Sequence, residues 1–235
     1  MRFTPRTRRT RETPGEHVVL LGDSVFDCDS YTGEGFDVPA CLRPLLDGRV
    51  TLLARDGATT VSLPWQLEKL PDDATRLVVS IGGNDALMNS DLLRLNHKTR
   101  PRWTDGMPFF QAAMILLYDR AGEFRDDYAE AMDKVISAGL PVTVCTIYNP
   151  DYPEPKATAV AAALTMFNDV IIRYALSHGL DIIELRDVCT IPADFELDIE
   201  PSREGAQKIA EAIAGANALA PAGAAAEVIA QRVTA

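Results

Sequence analysis

Short apolar runs alternate along this chain with segments whose apolar residues return every three or four positions. His17 to Leu21 (HVVLL) is a nearly continuous apolar run, the pattern of a strand covered on both faces. Val50 to Ala54 (VTLLA), Leu77 to Ile81 (LVVSI), Pro141 to Ile147 (PVTVCTI) and Leu180 to Leu185 (LDIIEL) repeat it. Helical spacing is expected over Pro39 to Leu46, ending at Asp47-Gly48, and over Val61 to Leu70, with Pro64 in the first turn. Phe124, Tyr128, Met132, Val135 and Ile136 outline an amphipathic helix that stops at Gly139, with Pro141 beyond. Val160, Leu164, Phe167, Ile171 and Tyr174 mark a long helix closed by Gly179, and a last helix runs from about Ser202 through Ile209 and Ile213.

Five buried strands separated by helices predict an α/β fold: a parallel sheet between two layers of helices, a three-layer α/β/α sandwich. Such sheets carry their sites at the carboxyl ends of the strands. The chain has 235 residues, enough for one substantial core. One domain is expected over 17–214, with 86–121 as an insertion and candidate lid. Residues 215–235 form an alanine-rich tail open to a loose helix. Trp103, Met107, Phe109, Phe110, Met114 and Tyr118 enrich the insertion and are expected to pack its short helices, lining an acyl pocket being the alternative.

Residues 1–16 are basic, with no apolar signal-peptide core after them, and are expected to form a flexible arm. The alternative is a nucleic-acid or membrane contact through Arg6, Arg8, Arg9 and Arg11. No apolar run reaches transmembrane length by inspection, so no membrane partner and a cytoplasmic setting are expected. The net charge of −11 argues against non-specific nucleic-acid binding, because a negative surface repels phosphate. Cys28, Cys41, Cys145 and Cys189 fit neither a CxxC pattern nor a dense disulfide frame. His17, His97 and His178 are too scattered to predict a zinc site.

Three short motifs follow three successive strands. Gly22-Asp23-Ser24 ends the first, where a serine hydroxyl stands exposed and its N–H can face a negative oxygen; capping of the next segment is the bland reading. Gly57, in ARDGATT, follows the second and offers close backbone approach or a plain turn. Gly82-Gly83-Asn84-Asp85 follows the third, and the Asn84 amide is a donor type used to hold a tetrahedral oxyanion. Serine, glycine and asparagine at one sheet edge are much more specific together than apart.

With these pieces (VVLLGDSVFD, LLARDGATT and VVSIGGNDAL) the chain resembles the SGNH hydrolases, a branch of the GDSL esterases and lipases, over roughly residues 17–214. The resemblance implies a flavodoxin-like sandwich, a serine nucleophile at Ser24, and an oxyanion hole from the N–H groups of Ser24 and Gly57 with the Asn84 amide. It implies small acyl or acetyl ester substrates and no metal or organic cofactor. The family's last block is Asp-x-x-His followed by Pro, and here the chain departs from it: Glu200 stands at the histidine position and Leu197 three residues before, with Pro201 and Gly205 in register. With Leu197 in the aspartate register, Asp198 or Glu196 is the candidate for a shifted substitute.

Glu200 admits two readings. As a general base it is weaker than histidine, with an ordinary pKa of about 4.3 against about 6.5, unless burial or the like charge of Asp198 raises it. As a structural residue it is a carboxylate favoured by a helix N-terminus. His97 in the insertion is a further candidate base; His178, at a helix end, and His17, at the other end of the sheet, are poor ones. Three functions follow in order: a serine esterase of low efficiency, a non-catalytic binding protein on the same fold, and a metal or phosphate site at Asp23, Asp27 and Asp29.

Overall fold

The computed structural model describes residues 15–96, 98–219 and 228–229. The basic arm, His97 and most of the tail lie outside these residues. Five parallel strands form the sheet: β1 (Glu16–Gly22), β2 (Gly48–Leu52), β3 (Arg76–Ser80), β4 (Val142–Cys145) and β5 (Asp181–Ile183). A two-residue piece of the tail, β8 (Val228–Ile229), pairs in parallel with β5 and extends the order to β2-β1-β3-β4-β5-β8. It covers part of what would otherwise be an open edge of β5.

Alternation along β1 divides the core. Val18 and Leu20 face one helical layer, α2 (Val38–Leu42) and α8 (Arg203–Leu219), where Leu42, Ile209 and Ile213 are fully buried. Val19 and Leu21 face the other, α3 (Leu63–Leu67), α5 (Phe109–Ile136) and α6 (Lys156–His178). Both faces of β1, β3 and β4 are covered, which is why these strands read as nearly continuous apolar runs, while the edge strand β2 is half-buried. The remaining short helices are α1 (Asp29–Thr32), α4 (Gly83–Met88) and α7 (Leu185–Val188); Phe195–Glu196 (β6) and Glu200–Pro201 (β7) form a small antiparallel hairpin.

Several segments depart from the sequence pattern. The helix expected to begin near Phe124 begins at Phe109, so α5 absorbs the last third of the 86–121 insertion. After Phe109 and Phe110 it carries Gln, Ala, Met and Leu, good helix formers, without glycine or proline before Gly122, and Ala112 and Leu116 are buried, which extends the stripe toward the N-terminus. Trp103, Phe110 and Tyr118, expected as packing residues, are more than half exposed. Second, α6 is long and apolar enough to cross a membrane by length and composition, contrary to the reading by inspection. Its Phe167, Ile171 and Ala175 pack on the sheet side. The last helix also continues through residue 215 to Leu219.

Two buried amide side chains hold strand ends. Gln66 Nε2 donates to the Gly22 carbonyl and its Oε1 accepts the Gly22 N–H, both at 2.7 Å. Asn168 does the same for Ile147 beyond β4. Gly22 itself has no alternative, because a Cβ there would lie 1.8 Å from the Ser80 carbonyl oxygen.

Candidate active site

At the end of β1 the chain turns on Asp23. Its main-chain oxygen accepts the N–H groups of Phe26 and Asp27, and its Oδ1 accepts that of Val25 at 3.1 Å. The turn places Ser24 at the carboxyl edge of the sheet, nearly buried. Beyond β3, Asp85 accepts the hydroxyl of Thr60 at 2.7 Å and its main-chain N–H, tying this loop to the one after β2. Asn84 Nδ2 donates to the Ala58 carbonyl at 2.9 Å, which uses one of its two protons and leaves the other.

Glu200 arrives on β7. The hairpin turns at Leu197 and Asp198, which adopt φ of 50° and 68°, and Ile199 N–H closes it on the Glu196 carbonyl. Two bonds from the loop after β4 brace it: Tyr148 hydroxyl donates to the Ile199 carbonyl and Asp151 N–H to the Asp198 carbonyl, both at 2.7 Å. Ser202, not Glu200, caps α8, accepting Gly205 N–H at 3.1 Å. The helix-terminal reading of Glu200 therefore has another residue in its place. Gly205 sits where a Cβ would meet the Asp194 carbonyl oxygen at 2.2 Å, and the buried Asp194 is paired with Lys208 at 2.7 Å.

Ser24, Asn84, Glu200 and Asp23 line one cavity of about 500 Å³. Its walls are mainly apolar, with Leu87, Leu92, Leu93 and Leu117 on one side and Val160, Leu164 and Phe167 of α6 on the other. The apolar lining from the 86–121 stretch is thus leucine, and none of Trp103, Met107, Phe109, Phe110, Met114 or Tyr118 contributes to it.

Burial and the negative charge of Asp56 hold the Glu200 carboxyl above its ordinary range, while its interaction with the Ser24 hydroxyl opposes the shift. Glu200 Oε2 is buried without a hydrogen-bond partner among the described residues. Asp23 is pushed up to about 8, first by complete burial and then by the charges of Glu200 and Asp85, against the Val25 N–H that favours its ionised form. From the sequence Asp23 reads as a cap of the next segment or as part of a metal or phosphate site. Its burial beside the serine is a tertiary fact.

Two expected site residues are not brought to the cavity. Asp198 is exposed at the hairpin turn and does not line it, so the charge that raises Glu200 comes from Asp56 instead. The left-handed backbone at this position suits a short polar side chain, which accounts for an aspartate there. Gly57 is exposed in a turn closed by Ala58 N–H on the Arg55 carbonyl; its φ of 74° is the reason for glycine. Glu196 is exposed on β6. Asp27 accepts the Asp56 N–H, and no group of three histidine, cysteine or acidic residues poised for a metal occurs among the described residues. His17 is buried at the amino end of β1 against Asp73 and Thr51, and His178 stacks on Tyr174.

The family profile described as GDSL-like Lipase/Acylhydrolase matches residues 20–208, which span all of this geometry. The chain belongs to the GDSL-like lipase/acylhydrolase family. Membership supports a hydrolase that acts on esters. Among solved structures the chain resembles phospholipase A1 from Streptomyces albidoflavus, with 17% identity, TM-score 0.62, and coverage of 86% of this chain and 99% of that one. It also resembles an extracellular lipase from Streptomyces rimosus (19%, TM-score 0.56, 82% and 95%). An acetyl xylan esterase from Geobacillus stearothermophilus is similar at the same level (17%, TM-score 0.58, 85% and 93%). At these identities the likeness shows the fold alone. No curated protein matches the chain.

Proposed function

We propose that this protein is a carboxylic-ester hydrolase in which Ser24 is the nucleophile and Glu200 its general base. The observation that carries the reading is that Ser24, Asn84 and Glu200 line one cavity at the carboxyl edge of the sheet. Ser24 Oγ attacks the ester carbonyl and passes its proton to Glu200. The oxyanion accepts the Ser24 N–H and the free proton of Asn84 Nδ2. Collapse expels the alcohol, which takes the proton back from Glu200 and leaves an acyl-serine. Water then attacks the acyl-serine, Glu200 taking its proton, and the acid leaves as Ser24 is restored.

A raised Glu200 favours this chemistry, since a base works best with a pKa near the working pH. Glu200 still falls short of an imidazole paired with a carboxylate, and Asp198 supplies no such partner. Turnover is therefore expected below that of a histidine-based triad, by up to about 10²–10⁴-fold. The walls suit an acyl chain longer than acetyl, because an acetyl group leaves most of the leucine-lined space unfilled.

Labelling with a fluorophosphonate probe, with Ser24→Ala as control, tests the nucleophile. Hydrolysis of p-nitrophenyl esters above the Ala variant is expected. Absence of both label and hydrolysis would leave the second reading, a binding protein on the same fold, which the replacement of the histidine by Glu200 favours.

A further inference from the structure

The cavity is unlike itself from end to end in charge. Its inner wall carries the buried carboxyls of Asp23 and Glu200, while Arg94 and Lys156 line it as exposed residues. Lys156 lies over the Tyr152 ring, 3.1 Å from its centroid, and Tyr152 is itself a lining residue. Neither cation has an acidic partner among the described residues. Most described arginines do have one, as Arg186 does with Glu184 and Arg173 with Asp169. In a chain with a net charge of −11, two unneutralised cations on one cavity are a local reversal of sign.

We infer that the cavity binds a single-chain amphiphile with an anionic head group, its chain against the leucine-lined wall and its head between Arg94 and Lys156. Repulsion by the Glu200 carboxylate sets the orientation, because a negative head placed beside it meets like charge in a buried setting. The apolar wall excludes a small charged molecule without a chain, and the two cations disfavour a neutral one relative to an anionic one. Under the proposed hydrolase reading, the substrate class becomes acyl esters that carry a sulfate, phosphate or carboxylate away from the scissile bond.

The test uses the Ser24→Ala protein, so that it does not depend on turnover. Binding of octyl sulfate, octyl phosphate and octyl glucoside is measured by calorimetry below their micelle concentrations. The anionic pair is expected to bind about five- to tenfold more tightly than the glucoside, the amount two exposed ion pairs supply. In an Arg94→Gln, Lys156→Gln double variant the ratio should fall toward one. It should fall likewise for the unsubstituted pair of cations at about 1 M NaCl, where screening acts within about 3 Å. The two octyl anions tell a sulfate-like head from a phosphate-like one. Equal affinity for charged and neutral probes, or a ratio that survives both the double variant and salt, overturns the inference. A ratio that persists in a protein whose Ser24 takes no fluorophosphonate label would instead retire the hydrolase reading and keep this one.

Discussion

Asp23 and Glu200 are carboxyls on the wall of one cavity, and the negative charge of Glu200 raises the proton affinity of Asp23. One stands immediately before Ser24 in the chain, and the other reaches it from 176 positions later. Their burial makes the protonation of each depend on the other, so that the site's charge state near neutral pH is set by the pair.

Activity should follow a bell in pH. The acid limb reports Glu200 and lies above the ordinary carboxylate range, because burial and Asp56 raise it. The alkaline limb falls near 8, where Asp23 ionises and adds a second negative charge beside the developing oxyanion. Asp23→Asn retains an Oδ1 acceptor for Val25 N–H and should remove the alkaline limb from a plot of kcat/KM against pH. An unchanged alkaline limb in that variant would remove Asp23 from the account.

Stability carries the same signature with a definite sign. Asp23 has a folded pKa raised from 3.8 to about 8, so across that window the folded chain holds a proton that the unfolded chain releases. Stability therefore decreases as pH rises through the window. Relative to the parent, Asp23→Asn should gain stability between about pH 5 and about pH 8 in urea unfolding. A difference that is constant over the range contradicts the assignment.

Asn84→Ala removes the proposed oxyanion donor and the bond to Ala58 together. Loss of one such donor costs about 10²–10³ in kcat. Loss of the hydrogen bond costs about 1 kcal/mol of stability. Steady-state kinetics with thermal unfolding separates the two, and a loss confined to stability would place Asn84 outside the chemistry.

Tyr148→Phe probes Glu200 at a distance. The hydroxyl holds the Ile199 carbonyl, the residue before Glu200, at 2.7 Å. Its removal leaves that carbonyl without its donor, at about 1–3 kcal/mol if it stays buried. Turnover should fall with KM little changed, since the base loses its brace and the apolar wall is intact. A rise in KM alone would show that Tyr148 serves binding instead.

The sheet was legible because β1 and β3 are apolar on both faces and helices cover both, whereas the edge strand β2 is half-buried and carries Arg49 and Thr51. Helix boundaries were less legible. The stripe on α5 thins between Phe109 and Ala121, where fewer residues are buried, so periodicity picked up the helix only at Phe124. The sixth strand consists of two residues, too few to show any period.

Sequence alone determined the layer architecture, the family, and the positions of Ser24, Asn84 and Glu200, because strand burial and short motifs at strand ends are local patterns. The tertiary structure decided which neighbours matter. It left Gly57 and Asp198 in exposed turns, and it gave Glu200 its charge partner in Asp56 and its brace in Tyr148. It also put Arg94 and Lys156 on the cavity, although no motif marks either. These are contacts between residues far apart in the chain, and their energies depend on burial and distance, which exist only once the sheet has brought its strand ends together.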